Sequence, residues 1–339
     1  MRRNGSSKVV VVTGASAGVG RATARAFGRH GARVGLVARG QEGLDAAKQE
    51  IESAGGQALV LPADVSYAEQ VESAAQRVEE DFGPIDVWVN NAMVSVFSPF
   101  EKISPDEFRR VTEVTYLGYV YGTMSALRRM KPRAHGVIIQ VGSALAYRGI
   151  PLQSAYCGAK HAIEGFSESV RCELLHDNCH VRITLVHMPA LNTPQFSWSR
   201  SRLPREPQPV PPIYQPEVAA DAIVWSASNE RRELWVGGTT AVVIAGNKLA
   251  PGLGDHYLAR TGYESQMTDE PVSPDRRDNL YEPVPGDAGA RGRFGERSHG
   301  HSYQLWASQH RGQLAGLALA GGLLVGGLMA LLNSERQAS

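Results

Sequence analysis

The chain has 339 residues, of which 42% are hydrophobic, and its formal net charge at pH 7 is +1. This length and hydrophobic content can bury a full core and still leave residues for an appendage. The nearly neutral charge gives no sign of a nucleic-acid or acidic partner. The three cysteines, at 157, 172 and 179, lack metal-ligand spacing. We therefore expect reduced thiols and no metal site.

A glycine-rich turn follows the first apolar run of the chain. Residues 9–12 are four valines and predict a buried parallel strand, whereas residues 21–27 predict a helix. The turn between them contains Gly14, Ser16, Gly18, Val19 and Gly20. Its glycines permit a tight turn and let backbone N–H groups and the helix N-terminus approach a pyrophosphate. This context favours a dinucleotide site over a glycine turn without a ligand.

The end of the second predicted strand selects the dinucleotide. An NAD site usually carries a carboxylate here for the ribose 2′-hydroxyl, whereas an NADP site needs a cation for the 2′-phosphate. This chain has Ala38 and Arg39 at that position. We therefore favour NADP(H), with Arg39 as the phosphate partner. The alternative is a solvated Arg39 in an enzyme that uses NAD.

Three polar residues further along the chain have the types and spacing of a proton-transfer site. Tyr156 and Lys160 are four residues apart, so on a helix the phenol and the ammonium share one face. A nearby cation lowers a tyrosine pKa from its usual value of about 10, which suits an acid/base catalyst. Ser143 ends a strand-like run and is expected to orient a substrate oxygen. An ordinary surface pair is the alternative for Tyr156 and Lys160.

Taken in this order, these motifs resemble the short-chain dehydrogenase/reductase family over roughly the first 250 residues. The resemblance implies a Rossmann-like fold and a catalytic group of Ser143, Tyr156 and Lys160, with the last two also contacting the cofactor. It further implies cofactor contacts at Asp64 and Val65 for adenine, at Asn91 near the ribose, and at Thr193 for the nicotinamide carboxamide.

Three positions depart from the family pattern. Thr115 stands where the family usually has an asparagine that helps to hold a water in a proton relay to the lysine. We count Thr115 among the catalytic residues because its hydroxyl offers a shorter replacement. Met93 replaces the glycine of the Asn-Asn-Ala-Gly motif, and Met188 with Pro189 stands where Pro-Gly usually begins the nicotinamide loop.

The alternation of strand and helix signals predicts an α/β fold, a doubly wound parallel sheet formed by residues 1–250. Residues 195–216 lie where the family places its substrate-covering segment. Phe196 and Trp198 in that segment are expected to contact an apolar substrate, and a solvated loop is the alternative.

Beyond the predicted domain the composition changes twice. Residues 251–310 form a polar extension, a linker or a tail wrapped on the domain, because their aliphatic content is too low to fold alone. Residues 314–332 carry no charge and would span about 28 Å as a helix, which predicts a single transmembrane helix within residues 311–333 and a short tail at 334–339. A terminal helix buried against a partner subunit in a homo-oligomer is the alternative.

More arginines precede this segment than follow it, which places the catalytic domain of a C-terminally anchored membrane protein in the cytoplasm. The favoured function is NADP(H)-dependent hydride transfer to or from a carbonyl or alcohol substrate, which the membrane anchor suggests is lipophilic. A non-catalytic dinucleotide-binding or scaffold protein with the same fold is the alternative.

Overall fold

In the computed structural model, which describes residues 7–316, seven parallel strands form a single sheet. The strands are β1 (Val9–Thr13), β2 (Arg33–Ala38), β3 (Gln57–Pro62), β4 (Val87–Asn90), β5 (Val137–Ser143), β6 (Arg182–Met188) and β7 (Glu233–Trp235). Their order across the sheet is β3-β2-β1-β4-β5-β6-β7. The predicted doubly wound α/β class is confirmed.

Helices cover both faces of this sheet. They are α1 (Gly18–Arg29), α2 (Gln41–Ser53), α3 (Ala68–Phe82), α4 (Pro105–Thr112), α5 (Gly118–Met130), α6 (Ser154–His176), α7 (Gln195–Trp198), α8 (Pro216–Ser226), α9 (Gly238–Leu249), α10 (Pro251–Thr261) and α11 (Tyr303–Gln309). Helices α1, α2 and α8 share one core with the sheet, and α3 to α6 share the other. The central strands are apolar on both faces because both are buried.

The direction of strand order reverses between β1 and β4. The glycine turn follows β1 and Asn91 follows β4, so both lie at the carboxyl ends of strands at the reversal. Open parallel sheets bind ligands in the crevice at this point. The topology therefore brings the sequence-predicted dinucleotide motifs to one place.

The extension at residues 251–310 packs on the domain. Short strands at Met267–Pro271 and Ser298–His299 pair with residues 205–207 and 213–214. Met267, Leu280 and Phe294 are buried, and the ring of Phe294 meets that of Phe196 edge-on. Of the two forms considered for this extension, a linker or a wrapped tail, the structure has the wrapped tail. A few buried apolar residues are enough to hold the extension in place, because each packs against apolar residues of the domain.

The predicted transmembrane segment, residues 314–332, falls outside the described residues except for its first three positions. Within residues 7–316 no helix has both the length and the apolar character needed to cross a membrane. The anchor therefore stays a prediction.

Candidate active site

The glycine turn is shaped so that only glycine fits at two of its positions. A Cβ on Gly20 would lie 2.1 Å from the carbonyl oxygen of Gly14, and a Cβ on Gly14 would lie 2.8 Å from the Cα of Ala92. Gly14 also has φ of +68°, which disfavours residues with a side chain. Ser16, Gly18 and Val19 line the same cavity. The absent side chains leave a cradle at the N-terminus of α1 that fits a pyrophosphate.

One end of the cavity is bounded by Arg39, Asp64 and Val65. The carboxylate of Asp64 accepts hydrogen bonds from Arg110, at 2.5 Å, and from the hydroxyl and N–H of Ser66. Burial raises the pKa of Asp64, but these hydrogen bonds outweigh it and lower the pKa below the usual value. Asp64 is therefore ionised and fixed in orientation.

A segment of the extension crosses the same end of the cavity, and we call residues 279–289 the strap. Arg39 donates hydrogen bonds of 2.6 Å to the carbonyl oxygens of Asn279 and Tyr281. The N–H of Gly18 donates to the carbonyl oxygen of Gly289. The buried Arg21 pairs with Asp287 at 2.7 Å. The strap therefore forms a wall over the glycine turn, and sequence patterns gave no signal for it.

Asn91 and Thr193 lie nearer the middle of the cavity. The Asn91 amide donates to the carbonyl oxygen of Thr13 at 2.9 Å, and so ties the end of β4 to the glycine turn. Thr193 lies across from the turn, because a Cβ on Gly18 would be 3.4 Å from its side chain. The structure thus brings both residues to the same cavity as the glycines.

Ser143, at the end of β5, faces Tyr156, in the first turn of α6. The Ser143 oxygen accepts a hydrogen bond from the N–H of Leu145 at 3.1 Å, which leaves its own proton available. Burial raises the pKa of Tyr156 above its usual value, and the nearby side chain of Ser143 acts in the opposite direction. The charge of Lys160 was expected to lower the pKa of Tyr156, but burial has the largest effect and raises this pKa.

Lys160 is buried, and its ammonium is bonded to groups other than the Tyr156 hydroxyl. Its Nζ donates to the carbonyl oxygen of Val141 at 2.7 Å and to the hydroxyl of Tyr119 at 3.0 Å. It lies 5.6 Å from the centre of the Tyr156 ring. Burial lowers the pKa of Lys160 to about 7. Tyr119 was missed in the sequence because no motif marks its position on α5.

Thr115 is hydrogen-bonded to the loop after β4. Its hydroxyl donates to the carbonyl oxygen of Val94 at 2.8 Å and accepts from the N–H of Val94 at 3.1 Å. Thr115 lies in a π-helical turn, Glu113–Leu117, between α4 and α5. These two hydrogen bonds anchor the loop after β4 and leave one lone pair of the hydroxyl, so the expected contribution of Thr115 to the relay stays a prediction.

The cavity as a whole has a volume of about 830 Å³, which lies within the range of small-molecule and cofactor sites. Beyond Tyr156 its walls are largely apolar. They include Phe97, Phe196, Val243, Leu253 and Leu258. Phe196 and Trp198 belong to the segment 195–216 that was expected to cover the substrate, and this segment does border the cavity.

This fold and cavity define a class of protein, and comparison with known proteins identifies it. Residues 8–203 match the family model described as short chain dehydrogenase, so the chain belongs to that family. The chain is therefore a nicotinamide-dependent oxidoreductase that acts on CH–OH or C=O groups. The alternative of a non-catalytic scaffold is therefore set aside.

Similar proteins extend the comparison. An uncharacterized oxidoreductase of Bacillus subtilis, YxnA, is 34% identical over 277 residues, covering 81% of this chain and 78% of the relative. A 3-dehydrosphinganine reductase of Danio rerio is 35% identical over 226 residues, covering 64% of this chain and 68% of the relative. An alcohol dehydrogenase of Thermococcus sibiricus, solved with 5-hydroxy-NADP, is similar in structure, with a TM-score of 0.59 and 30% identity over 68% of this chain and 95% of its own.

Proposed function

We propose that this enzyme uses NADPH to reduce a lipophilic ketone or aldehyde to an alcohol. The observation that carries the proposal is a single cavity with a cation at one end, the Ser143–Tyr156 pair in the middle and an apolar chamber beyond. The similarity to a 3-dehydrosphinganine reductase supports a lipophilic substrate.

The glycine turn and Arg39 would hold the cofactor. Arg39 uses two of its five N–H donors on the strap carbonyls, which leaves three for a 2′-phosphate. The alternative carboxylate for a 2′-hydroxyl is absent from this position, where Ala38 precedes Arg39. These features favour NADP(H) over NAD(H).

The catalytic side chains divide the work at the substrate oxygen. Ser143 donates a hydrogen bond to the carbonyl oxygen and so polarises the C=O bond. NADPH, when bound, supplies the hydride that reaches the carbonyl carbon. Tyr156 transfers its phenolic proton to the oxygen, which becomes the hydroxyl of the product. The charge on Lys160 favours the phenolate that remains.

Replacement of the proton donor tests the mechanism. Tyr156→Phe should lower kcat for NADPH-dependent reduction by about 10² or more, since general acid catalysis contributes about 10²–10⁴-fold. NADPH binding, followed by fluorescence, should stay close to that of the wild type. Tyr67→Phe, at a half-exposed tyrosine before α3, is the matched control. Wild-type turnover in Tyr156→Phe would exclude this proton donor.

The length of the substrate chain tests the second half of the proposal. In a panel of methyl ketones, kcat/KM should rise with chain length, because each methylene buried in the apolar chamber contributes about 0.8 kcal/mol. A Leu258→Ser variant, at an apolar residue that lines the cavity, should flatten this dependence, and its activity on the shortest ketone should change least. A preference for short, charged carbonyl compounds would contradict a lipophilic substrate and leave the proton-transfer mechanism intact.

A further inference from the structure

Three ionisable side chains converge behind the catalytic serine, outside the cavity described above. His187 lies on β6 and is fully buried, Glu164 lies on α6 and Glu233 begins β7. One ligand atom from each lies within 4.8 Å of the others. None of the three has a role in the proposed reduction.

The tautomer of His187 is determined by one contact. Its Nδ1 lies 3.2 Å from the carbonyl oxygen of Ser143, and a carbonyl oxygen can only accept. The proton therefore lies on Nδ1, and the lone pair of Nε2 points away from Ser143. Histidines that bind metals typically donate their other ring N–H to a carbonyl or carboxylate in this way.

The lone pair of Nε2 faces two carboxylates. Glu164 Oε2 lies 3.4 Å away and Glu233 Oε2 lies 3.7 Å away. Nε2 and Glu164 Oε2 are buried and have no hydrogen-bond partner within residues 7–316. Acceptors that face one another in a buried site repel, so this arrangement calls for a positive charge between them.

We propose that Glu164, His187 and Glu233 bind a divalent transition-metal ion, with Zn²⁺ the best match. Ligands about 2.1 Å from a tetrahedral ion lie roughly 3.4 Å from one another, close to the two distances from His187 Nε2. One imidazole and two carboxylates suit Zn²⁺ better than Ca²⁺ or Mg²⁺, which take oxygen ligands. The fourth position would hold water, because both glutamates retain some exposure.

The surroundings support the carboxylates as ligands. The Tyr147 hydroxyl donates to Glu233 Oε2 at 2.7 Å, and the Trp235 indole N–H donates to the same oxygen at 3.1 Å. Such partners orient metal ligands in known sites. Arg232 approaches the other oxygen, with its Nε 3.5 Å from Glu233 Oε1.

The ion would brace the catalytic group without touching it. Glu164 follows Lys160 by one turn of α6, and His187 holds the backbone of Ser143. A single ion would therefore join α6, β6 and β7 at the edge of the sheet. The role is structural, and its test does not depend on turnover.

The test uses the full chain, stripped with a chelator and then titrated with Zn²⁺ alone. We expect one bound equivalent by elemental analysis, a higher Tm with Zn²⁺, and a visible absorption band from tetrahedral Co²⁺. Glu164→Gln should weaken Zn²⁺ binding at least tenfold, and Tyr147→Phe, which removes a supporting hydrogen bond, by about 10- to 100-fold.

Glu173→Gln is the matched control, because Glu173 is an exposed glutamate further along the same helix and does not belong to the cluster. Its Zn²⁺ affinity should equal that of the wild type. Equal loss in both glutamine variants would assign the binding to another site, such as the exposed Cys172. Absence of a bound equivalent in the wild type would show that a shared proton alone satisfies the cluster, and would overturn the metal site.

Discussion

Lys160 donates from Nζ to the hydroxyl of Tyr119 across 3.0 Å. The same hydroxyl donates to the carbonyl oxygen of Val141, which Lys160 also contacts. Tyr119 lies one turn after Thr115, whose hydroxyl is occupied by Val94. A hydroxyl one turn further along the chain thus supplies the lysine with the polar partner that an asparagine would otherwise help to provide.

Tyr119→Phe should shift the pH dependence of activity. Removal of an acceptor destabilises the ammonium, so the pKa of Lys160 should fall further below about 7. A hydrogen bond to a charged group contributes about 1.5–3 kcal/mol, equivalent to roughly 1–2 pH units. The alkaline limb of kcat/KM should therefore move to lower pH by about that amount.

Tyr121→Phe on the same helix is the control for this shift, because its hydroxyl is not bonded to Lys160 in the described structure. NADPH affinity should change little in either variant. A wild-type pH profile in Tyr119→Phe would restrict Tyr119 to a packing role.

Arg39→Ala should discriminate between the two cofactors. Both would lose the bracing of the strap, but only NADPH would lose a cation beside its 2′-phosphate. The ratio of the Kd for NADH to that for NADPH should therefore fall at least tenfold. Arg109→Ala, at an exposed arginine paired with Asp106, should leave the ratio unchanged. Equal weakening of both dinucleotides would reject the NADP assignment.

Asp287→Asn should accelerate release of the cofactor. This aspartate joins the strap to Arg21, which also pairs with Glu50 on α2 at 3.0 Å. Loss of the Asp287 charge removes the ion pair that holds the strap to Arg21. Glu50→Gln is the control, because it removes the other ion pair of Arg21, with a residue of α2 that does not belong to the strap. Stopped-flow displacement of NADPH should show a several-fold higher koff in Asp287→Asn only. Equal rates in both variants would show that the strap does not limit exchange.

Glu107→Gln should destabilise the fold in a pH-dependent manner. Burial raises the pKa of Glu107, but hydrogen bonds from Arg202, the Ser104 N–H and Arg200 outweigh it and lower the pKa to about 2. This stabilisation is present above the unfolded pKa of about 4.5 and is lost as pH falls toward 2.

The two arginines are about one-third exposed, so solvent screening limits the loss in Glu107→Gln to about 1–3 kcal/mol at pH 7. Urea unfolding should show this difference at pH 7 and almost none at pH 2. Asp106→Asn, at an exposed carboxylate, should change stability by less than about 0.5 kcal/mol. A difference that persists at pH 2 would assign the effect to packing.

The segment at residues 314–332 should anchor the protein in a membrane. Its uncharged length matches the hydrocarbon core, and a helix satisfies its own backbone groups there. The full chain should resist alkaline carbonate extraction, whereas a chain that ends at Arg311 should be soluble and retain activity. Recovery of the full chain without detergent would favour the buried helix instead.

The sequence predicts the sheet and the close packing of the glycine turn well because their signals are local. Four consecutive valines require burial on both faces, and the glycines at 14 and 20 lie where a Cβ would strike backbone. Their spacing along the chain reflects these contacts directly.

Other parts of the site depend on distant contacts that leave no local pattern. The strap meets Arg39 and Arg21 through residues about 240–270 positions away. The polar composition of the extension predicts a segment separate from the domain. Its few apolar residues, such as Leu280 and Phe294, are nevertheless buried, because they pack against apolar residues of the domain. The Glu164–His187–Glu233 cluster likewise joins three elements whose separation along the chain resembles no metal-ligand motif.

The strap also imposes an order on events during synthesis. The last strand of the sheet ends at Trp235, and roughly 50 further residues must leave the ribosome before Gly289 can cover the glycine turn. At about 5–20 residues per second, the nascent domain presents an open dinucleotide cleft for roughly 3–10 s. The first cofactor molecule can thus enter the cleft before the strap covers it, whereas later molecules meet a cleft that the strap already covers.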